Sequence, residues 1–219
     1  MKTLLFNLVT LLALSCTNAQ RGTSGSGTVI SETRTTQAFT KVKADGVFNV
    51  ILQQGTSNSV VVETDDNLQA LITVTITNGN LTLGMKSNSN FRNSKKMNVY
   101  VTFTTIESIE NNMVGKLTSK GNITCDKLYF NNKAVGNTQL ALSVKQMIIT
   151  NSSVGKTTLT GTADYCIIEN KAVGNLEAEE FRVNKMKLTN KAVGNTKVNA
   201  TSLDLTDDAV GKTTNVAST

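Results

Sequence analysis

The residues with most chemistry to offer are three aspartates near the end of the chain, Asp204, Asp207 and Asp208, with Lys187 one repeat earlier. Carboxylates converging on one face, with a cation beside them, could hydrolyse or lyse a glycan or hold calcium. Glu177, Glu179 and Glu180 form a second acidic run, and Cys16, Cys125 and Cys166 are the thiols. The chain has no histidine. That removes Ser-His-Asp and Cys-His catalysis, imidazole metal sites and the HExxH motif together. No GxSxG elbow, phosphate-cradling loop or EF-hand appears either. Asp207 is explained more simply as a turn residue and the glutamates as a solvated face. No catalytic residue, metal ligand or cofactor is therefore assigned. A carbohydrate-active β-helix enzyme stays as the alternative, because parallel β-helices host such activities.

The elements that would position any site are strands. Among 219 residues, 33 are Thr and 25 Asn, with no Pro and no Trp, a composition of β-branched and turn residues. Lys2 followed by the apolar run Leu4 to Leu14 reads as a signal peptide over 1–19, too short to span a bilayer. Cleavage after Thr17-Asn18-Ala19 is expected, ahead of acylation at Cys16, since Ala13 stands where a lipobox has Leu. The protein is then exported to the periplasm or outer surface, with no transmembrane span in the mature chain. Its net charge of +6, or +5 once Lys2 is removed, is spread singly apart from Lys95-Lys96, which argues against nucleic acid as a partner.

Residues 20–27, rich in Gly and Ser, read as a flexible tether. Residues 28–103 alternate with period two in VFNVILQQG, SVVVETDD, ALITVTITNGNLTLGM and MNVYVTF. Asn78-Gly79 marks a hairpin, and Lys86 to Lys96 a loop. From 104 to 219 a segment ending in Val-Gly returns six times. Gly115, Gly136, Gly155, Gly174, Gly194 and Gly211 lie 21, 19, 19, 20 and 17 residues apart. That period predicts an all-β chain: a parallel β-helix or solenoid of about six short coils after a strand-rich N-terminal portion, with 28–219 one continuous domain.

Aligned copies give columns. Leu128, Met147, Cys166, Met186 and Leu203 form one apolar ladder, and Phe130, Ile149, Ile168, Leu188 and Leu205 a second, both expected to face inward. Asn111, Asn132, Asn151, Asn170 and Asn190, then Asp207, are expected to hydrogen-bond along the stack. Val114, Val135, Val154, Val173, Val193 and Val210 are expected to point in again, ahead of corner glycines.

The tract FTKVKADGVFNVILQQG, then VVVETDDNLQALITVTITNGNLTL and the Gly-terminated coils, resembles the head GIN domain of auto-transporter adhesins over roughly residues 27–215. The resemblance implies a β-helical, exported, surface-associated bacterial protein of the kind common in Bacteroidetes, with adhesion proposed and no catalytic residues. Family coils usually carry Ser-Gly-Ser-Gly at the corner, where Ala-Val-Gly stands here, as in Ala134-Val135-Gly136. An adhesin-like module is the reading that follows, with a structural envelope spacer as a further alternative. Its partner is unknown: a surface glycan, a surface protein or a second copy.

Two expectations complete the reading. Cys125 and Cys166 fall on different columns two coils apart, roughly 10 Å at ~4.8 Å per coil, beyond disulfide reach. Between the two apolar ladders lies an outward column, Tyr129, Ile148, Ile167, then Lys187 and Asp204, with Tyr165 flanking Ile167. Stacked apolar residues facing out need a cover. Either the N-terminal strands or the 86–96 loop fold across them, or they are an interface.

Overall fold

The computed structural model describes residues 22–87 and 89–218. The expected signal segment, Cys16 and the first two residues of the expected tether lie outside them. The strands are β1 (Thr23–Ser24), β2 (Val29–Arg34), β3 (Lys41–Ala44), β4 (Asn49–Gln54), β5 (Ser59–Asp65), β6 (Ile72–Thr77), β7 (Asn80–Met85), β8 (Phe91–Arg92) and β9 (Met97–Phe103). They continue as β10 (Ser108–Asn111), β11 (Leu117–Asn132), β12 (Thr138–Asn151), β13 (Thr157–Asn170), β14 (Leu176–Asn190), β15 (Thr196–Asp207) and β16 (Thr213–Asn215). A six-residue 3-10 helix, Asp66–Leu71, lies between β5 and β6.

From β10 onward each coil lies parallel on the next, so that Tyr129 pairs with Ile148, Ile148 with Ile167 and Ile167 with Lys187. One coil shows why the sequence folds so. Thr138, Leu140, Leu142, Val144, Met147, Ile149, Asn151 and Ser153 are all buried, and the residues between them face out. The alternation breaks at Lys145-Gln146 and at Val154-Gly155-Lys156, where consecutive outward residues turn the chain through a corner. Between those corners the period of two gives each coil one apolar face per side. Coils of unequal length differ on one side only, at the register shifts between Thr118 and Asn122, Thr158 and Thr160, and Glu177 and Arg182.

The parallel stack begins before residue 104. β10 pairs with β3, Val114 bridges to Val47, and β11 opens on β4, so residues 41–54 already trace a coil. Their corner reads Gly46-Val47-Phe48 in place of Val-Gly, which hides it from a repeat search. The remaining N-terminal strands prolong the two sides of that coil edge to edge. β9 lies parallel on β4, with β5 and then β2 antiparallel beyond it. β7 lies parallel on β3, with β6 folded back on it through the Asn78-Gly79 turn. Phe39, Phe48 and Phe103 fill this end of a core that runs on unbroken to Val198 and Ala200.

Three expectations are corrected. The valine column faces outward: Val114, Val135, Val154, Val173, Val193 and Val210 are 49–71% exposed, and the residues before them, such as Met113, Ala134 and Ala172, are buried instead. Alternation runs straight through the asparagine, so the second residue after it returns inward and the third does not. Residues 22–27 are not a free tether. Thr23 and Ser24 pair with Phe91 and Arg92, Asn67 Nδ2 donates to the Ser24 carbonyl, and the Gly27 N–H donates to Asp65 Oδ1 at 2.6 Å. Leu205 is 42% exposed, because β16 covers β15 only from Thr196 to Val198.

Candidate interaction surface

The expected inward columns meet at one corner. Asn111, Asn132, Asn151, Asn170 and Asn190 are buried, and each side-chain Nδ2 donates to the Oδ1 of the next at 2.9–3.0 Å, ending at Asp207 Oδ1 at 3.2 Å. An amide has two N–H groups. The second reaches a threonine hydroxyl on the next coil's opening strand: Asn111 to Thr138, Asn132 to Thr157, Asn170 to Thr196 and Asn190 to Thr213. Sequence reasoning missed this threonine column, although Thr two residues after the corner glycine at these four places was the signal. Leu176 interrupts it opposite Asn151, whose Oδ1 additionally accepts from the Ser153 hydroxyl at 2.8 Å. Each amide oxygen and nitrogen of the ladder has a partner within the coil wall.

The corner glycines Gly115, Gly136, Gly155, Gly174, Gly194 and Gly211 all have positive φ. Gly174 shows the reason. At φ +136° a Cβ would run into the carbonyl oxygen of Gly155 in the preceding coil and lie 2.8 Å from its carbonyl carbon. Stacked backbones approach so closely here that no side chain fits between them.

The acidic residues do not converge. Asp204 faces out beside Lys187, Asp207 ends the asparagine ladder, and Asp208 points to Lys191 at 3.7 Å. Glu177 pairs with Lys156 and Glu179 with Lys197. Among the described residues no three of His, Cys, Asp and Glu gather as a metal site.

The outward column remains. Tyr129 (45% exposed), Ile148 and Ile167 stand side by side on β11, β12 and β13, and Tyr165 stands beside Ile167 in the neighbouring column, in line with Gln146. Lys127 holds its ammonium over the Tyr129 ring, 4.7 Å from its centre. The N-terminal strands add to the sheet beyond β10 and β3, in the plane of this face, and do not cross it. The result is a flat apolar strip, three coils deep, bordered by Ser108 on one side and Lys187 on the other.

Residues 38–212 match the protein family described as "Putative auto-transporter adhesin, head GIN domain". Among solved structures, a putative adhesin from Bacteroides fragilis NCTC 9343 is 27% identical with a TM-score of 0.83, the match covering 89% of this chain and all of that one. A putative adhesin from Parabacteroides merdae ATCC 43184 is 17% identical with a TM-score of 0.56, over 89% of this chain and 98% of that one. A protein from Parabacteroides distasonis ATCC 8503, described as a putative lipid binding protein, is 12% identical with a TM-score of 0.60, over 90% of this chain and all of that one. The last two show the fold alone. No curated protein is significantly similar in sequence.

Proposed function

We infer, since the chain belongs to the head GIN domain family of auto-transporter adhesins, that it works as a non-enzymatic, adhesin-like interaction module exported to the periplasm or cell surface. The carrying observation is the strip of exposed Tyr129 and half-buried Ile148, Ile167 and Tyr165, on an outer face that the N-terminal strands do not cross. Tyrosine presents a broad apolar ring with a polar tip at small entropic cost, which suits the C–H face of a sugar or the apolar rim of a protein. A stiff stack of coils holds these rings in fixed register, so little order must be gained on binding.

Export rests on the Lys2 and Leu4-to-Leu14 segment, with the mature protein starting near Gln20 and carrying no lipid. Intact-mass analysis of protein from the native membrane fraction tests this; an acylated N-terminal Cys16 overturns it. The binding role is tested with the mature protein on a glycan array and on whole bacterial cells, beside an Ile148→Lys variant. Binding without turnover that Ile148→Lys abolishes, at an unchanged melting temperature, supports the strip as the surface used. Turnover of a polysaccharide would replace this reading with a carbohydrate-active enzyme. Absence of both would leave an envelope spacer.

A further inference from the structure

The corner whose inner side holds the asparagine ladder carries a second surface on its outer side. Val47, Val114, Val135, Val154, Val173, Val193 and Val210 bridge one another in an unbroken parallel line, and each is 45–71% exposed. At ~4.8 Å per step the line runs roughly 29 Å. The corner geometry calls for an extended, β-branched residue, which threonine supplies equally well. In a chain with 33 threonines, seven of seven positions hold valine. Local structure accounts for the branching but not for the missing hydroxyl. The outward column of the opening strands, by contrast, is polar: Thr118, Gln139, Thr158, Glu177 and Lys197 align there.

Lysines flank the line on both sides, with Asp208 two residues before Val210. Every rung from Val114 on has one exposed lysine two residues from its valine: Lys116, Lys156 and Lys212 after it, Lys133, Lys171 and Lys191 before it. Lys156, Lys171 and Lys191 pair with Glu177, Glu169 and Asp208, while Lys116, Lys133 and Lys212 have no carboxylate within 4.0 Å among the described residues. The partner that fits is long, narrow, apolar along its middle and negative along both edges.

We propose that the valine line with its flanking lysines is a docking track for a linear acidic polysaccharide lying along the solenoid axis. Ring C–H faces cover the valines, and carboxylates on successive sugars reach lysines on either side. A second copy of the chain would bring lysine rows against each other. A membrane surface would favour large side chains that reach the acyl boundary, and valine reaches little. An acidic peptide strand presents same-face side chains at about twice 3.3 Å, out of step with a rung every ~4.8 Å.

The test uses the mature chain with polygalacturonate as the polyanion and its fully methyl-esterified form as the neutral control, by calorimetry across ionic strength. The expected result is binding that weakens as salt rises, at least ten-fold loss in Val154→Thr/Val173→Thr, and similar loss in Lys116→Gln/Lys133→Gln. Because threonine keeps the branching, the first variant should melt with the wild type. The Ile148→Lys variant should bind the polyanion normally, which separates this track from the tyrosine strip. Equal binding of the neutral polymer, full affinity in either double variant, or dimerisation that Val154→Thr/Val173→Thr abolishes would each overturn the proposal.

Discussion

The N-terminal cap and the repeating coils share one hydrophobic core yet satisfy their buried polar groups by different means. The coils use neutral amides. An asparagine is donor and acceptor at once, so one residue type repeated in register satisfies itself from Asn111 to Asn190. The ladder has a direction, each Nδ2 pointing toward the C-terminal end, and it stops at Asp207, which can only accept. The cap has no next coil to lean on and uses carboxylates beside one buried amide, Gln69, whose Nε2 donates to the Ile30 and Val62 carbonyls. Buried Asp65 takes the backbone N–H of Gly27 at 2.6 Å and of Lys95 at 2.9 Å, tying the segment before β2 and the 93–96 loop to the end of β5. Glu63 gathers Asn98, Tyr100 and Lys96, each at 2.9 Å. A repeat can propagate a neutral network; this unique terminus adds carboxylates to its neutral groups.

The largest effect should come from the closest backbone approach. Gly174→Val puts a β-branched side chain at φ +136° against the Gly155 carbonyl, with coils on both sides to hold it there. We expect a loss on the order of 3–5 kcal/mol in urea denaturation, or failure to fold. Gly79 in the cap is the control: its φ is +72°, but a Cβ there meets nothing within 4 Å. Gly79→Ala should cost only the left-handed penalty of about 1–2 kcal/mol. Equal costs at the two glycines would remove the distinction between crowding and conformation.

Next comes the ladder. Asn170→Ala leaves the Asn151 amide without its Oδ1 acceptor and takes the donor from Asn190 and Thr196. One buried donor left unmade costs about 1–3 kcal/mol. The same denaturation series measures it, and a loss under 0.5 kcal/mol, the ordinary surface value of about that size, would show the ladder to be dispensable.

Much of this architecture is legible in the sequence because repetition averages over local ambiguity. Six copies set the glycines, the asparagines and both apolar ladders in register. Which way the valines face was not legible. Periodicity gives spacing, but parity across a corner depends on how many consecutive residues the turn places outside, here Val154, Gly155 and Lys156. The first coil was hidden because Gly46-Val47-Phe48 reverses the motif, and Phe48 can stand in the glycine's place only with no earlier coil stacked beneath that corner. The ordering of residues 22–27 rests on Asp65 and Asn67, some forty residues away, a contact that no local pattern announces.

Acid should separate the two regions. Burial pushes the Asp65 carboxyl up, but the N–H groups of Lys95 and Gly27 more than reverse this and hold it below its ordinary value. The Asn98 and Lys96 hydrogen bonds lower Glu63 against the opposing effect of burial, with Tyr100 assisting. Both carboxyls are depressed in the fold, so their contribution is complete above the ordinary carboxylate range of about 4 and is lost as pH falls through the lowered values. The amide ladder has no such dependence. Hydrogen exchange compared at pH 7 and pH 3, corrected for intrinsic rates, should show protection falling in β2, β5 and β9 while β13 and β14 keep theirs. Asp65→Asn should flatten the cap's response. Uniform loss across both regions would mean that cap and coils open as one unit.

The smallest effect is a chemical one, and it reads the same comparison from the other side. Both cysteines of the described chain lie in the coils, free and on different columns: Cys125 aligns with Val144 and Ala163, Cys166 with Met147 and Met186. Cys166 is fully buried, and burial raises its thiol to about 12; Cys125 is half-buried, and burial, with Asp126 beside it, raises it also. Thiolate is the reactive form, so the folded protein should react slowly at Cys125 and scarcely at all at Cys166, while two thiols titrate after unfolding without reductant. Finding none after unfolding would mean a disulfide and a different register of coils. Labelling of Cys166 by a disulfide reagent active at low pH then times the opening of the coils. If the cap yields to acid first, Cys166 stays protected at a pH where the amides of β5 already exchange. If its labelling keeps step with those amides, the charged end and the neutral ladder are a single cooperative structure.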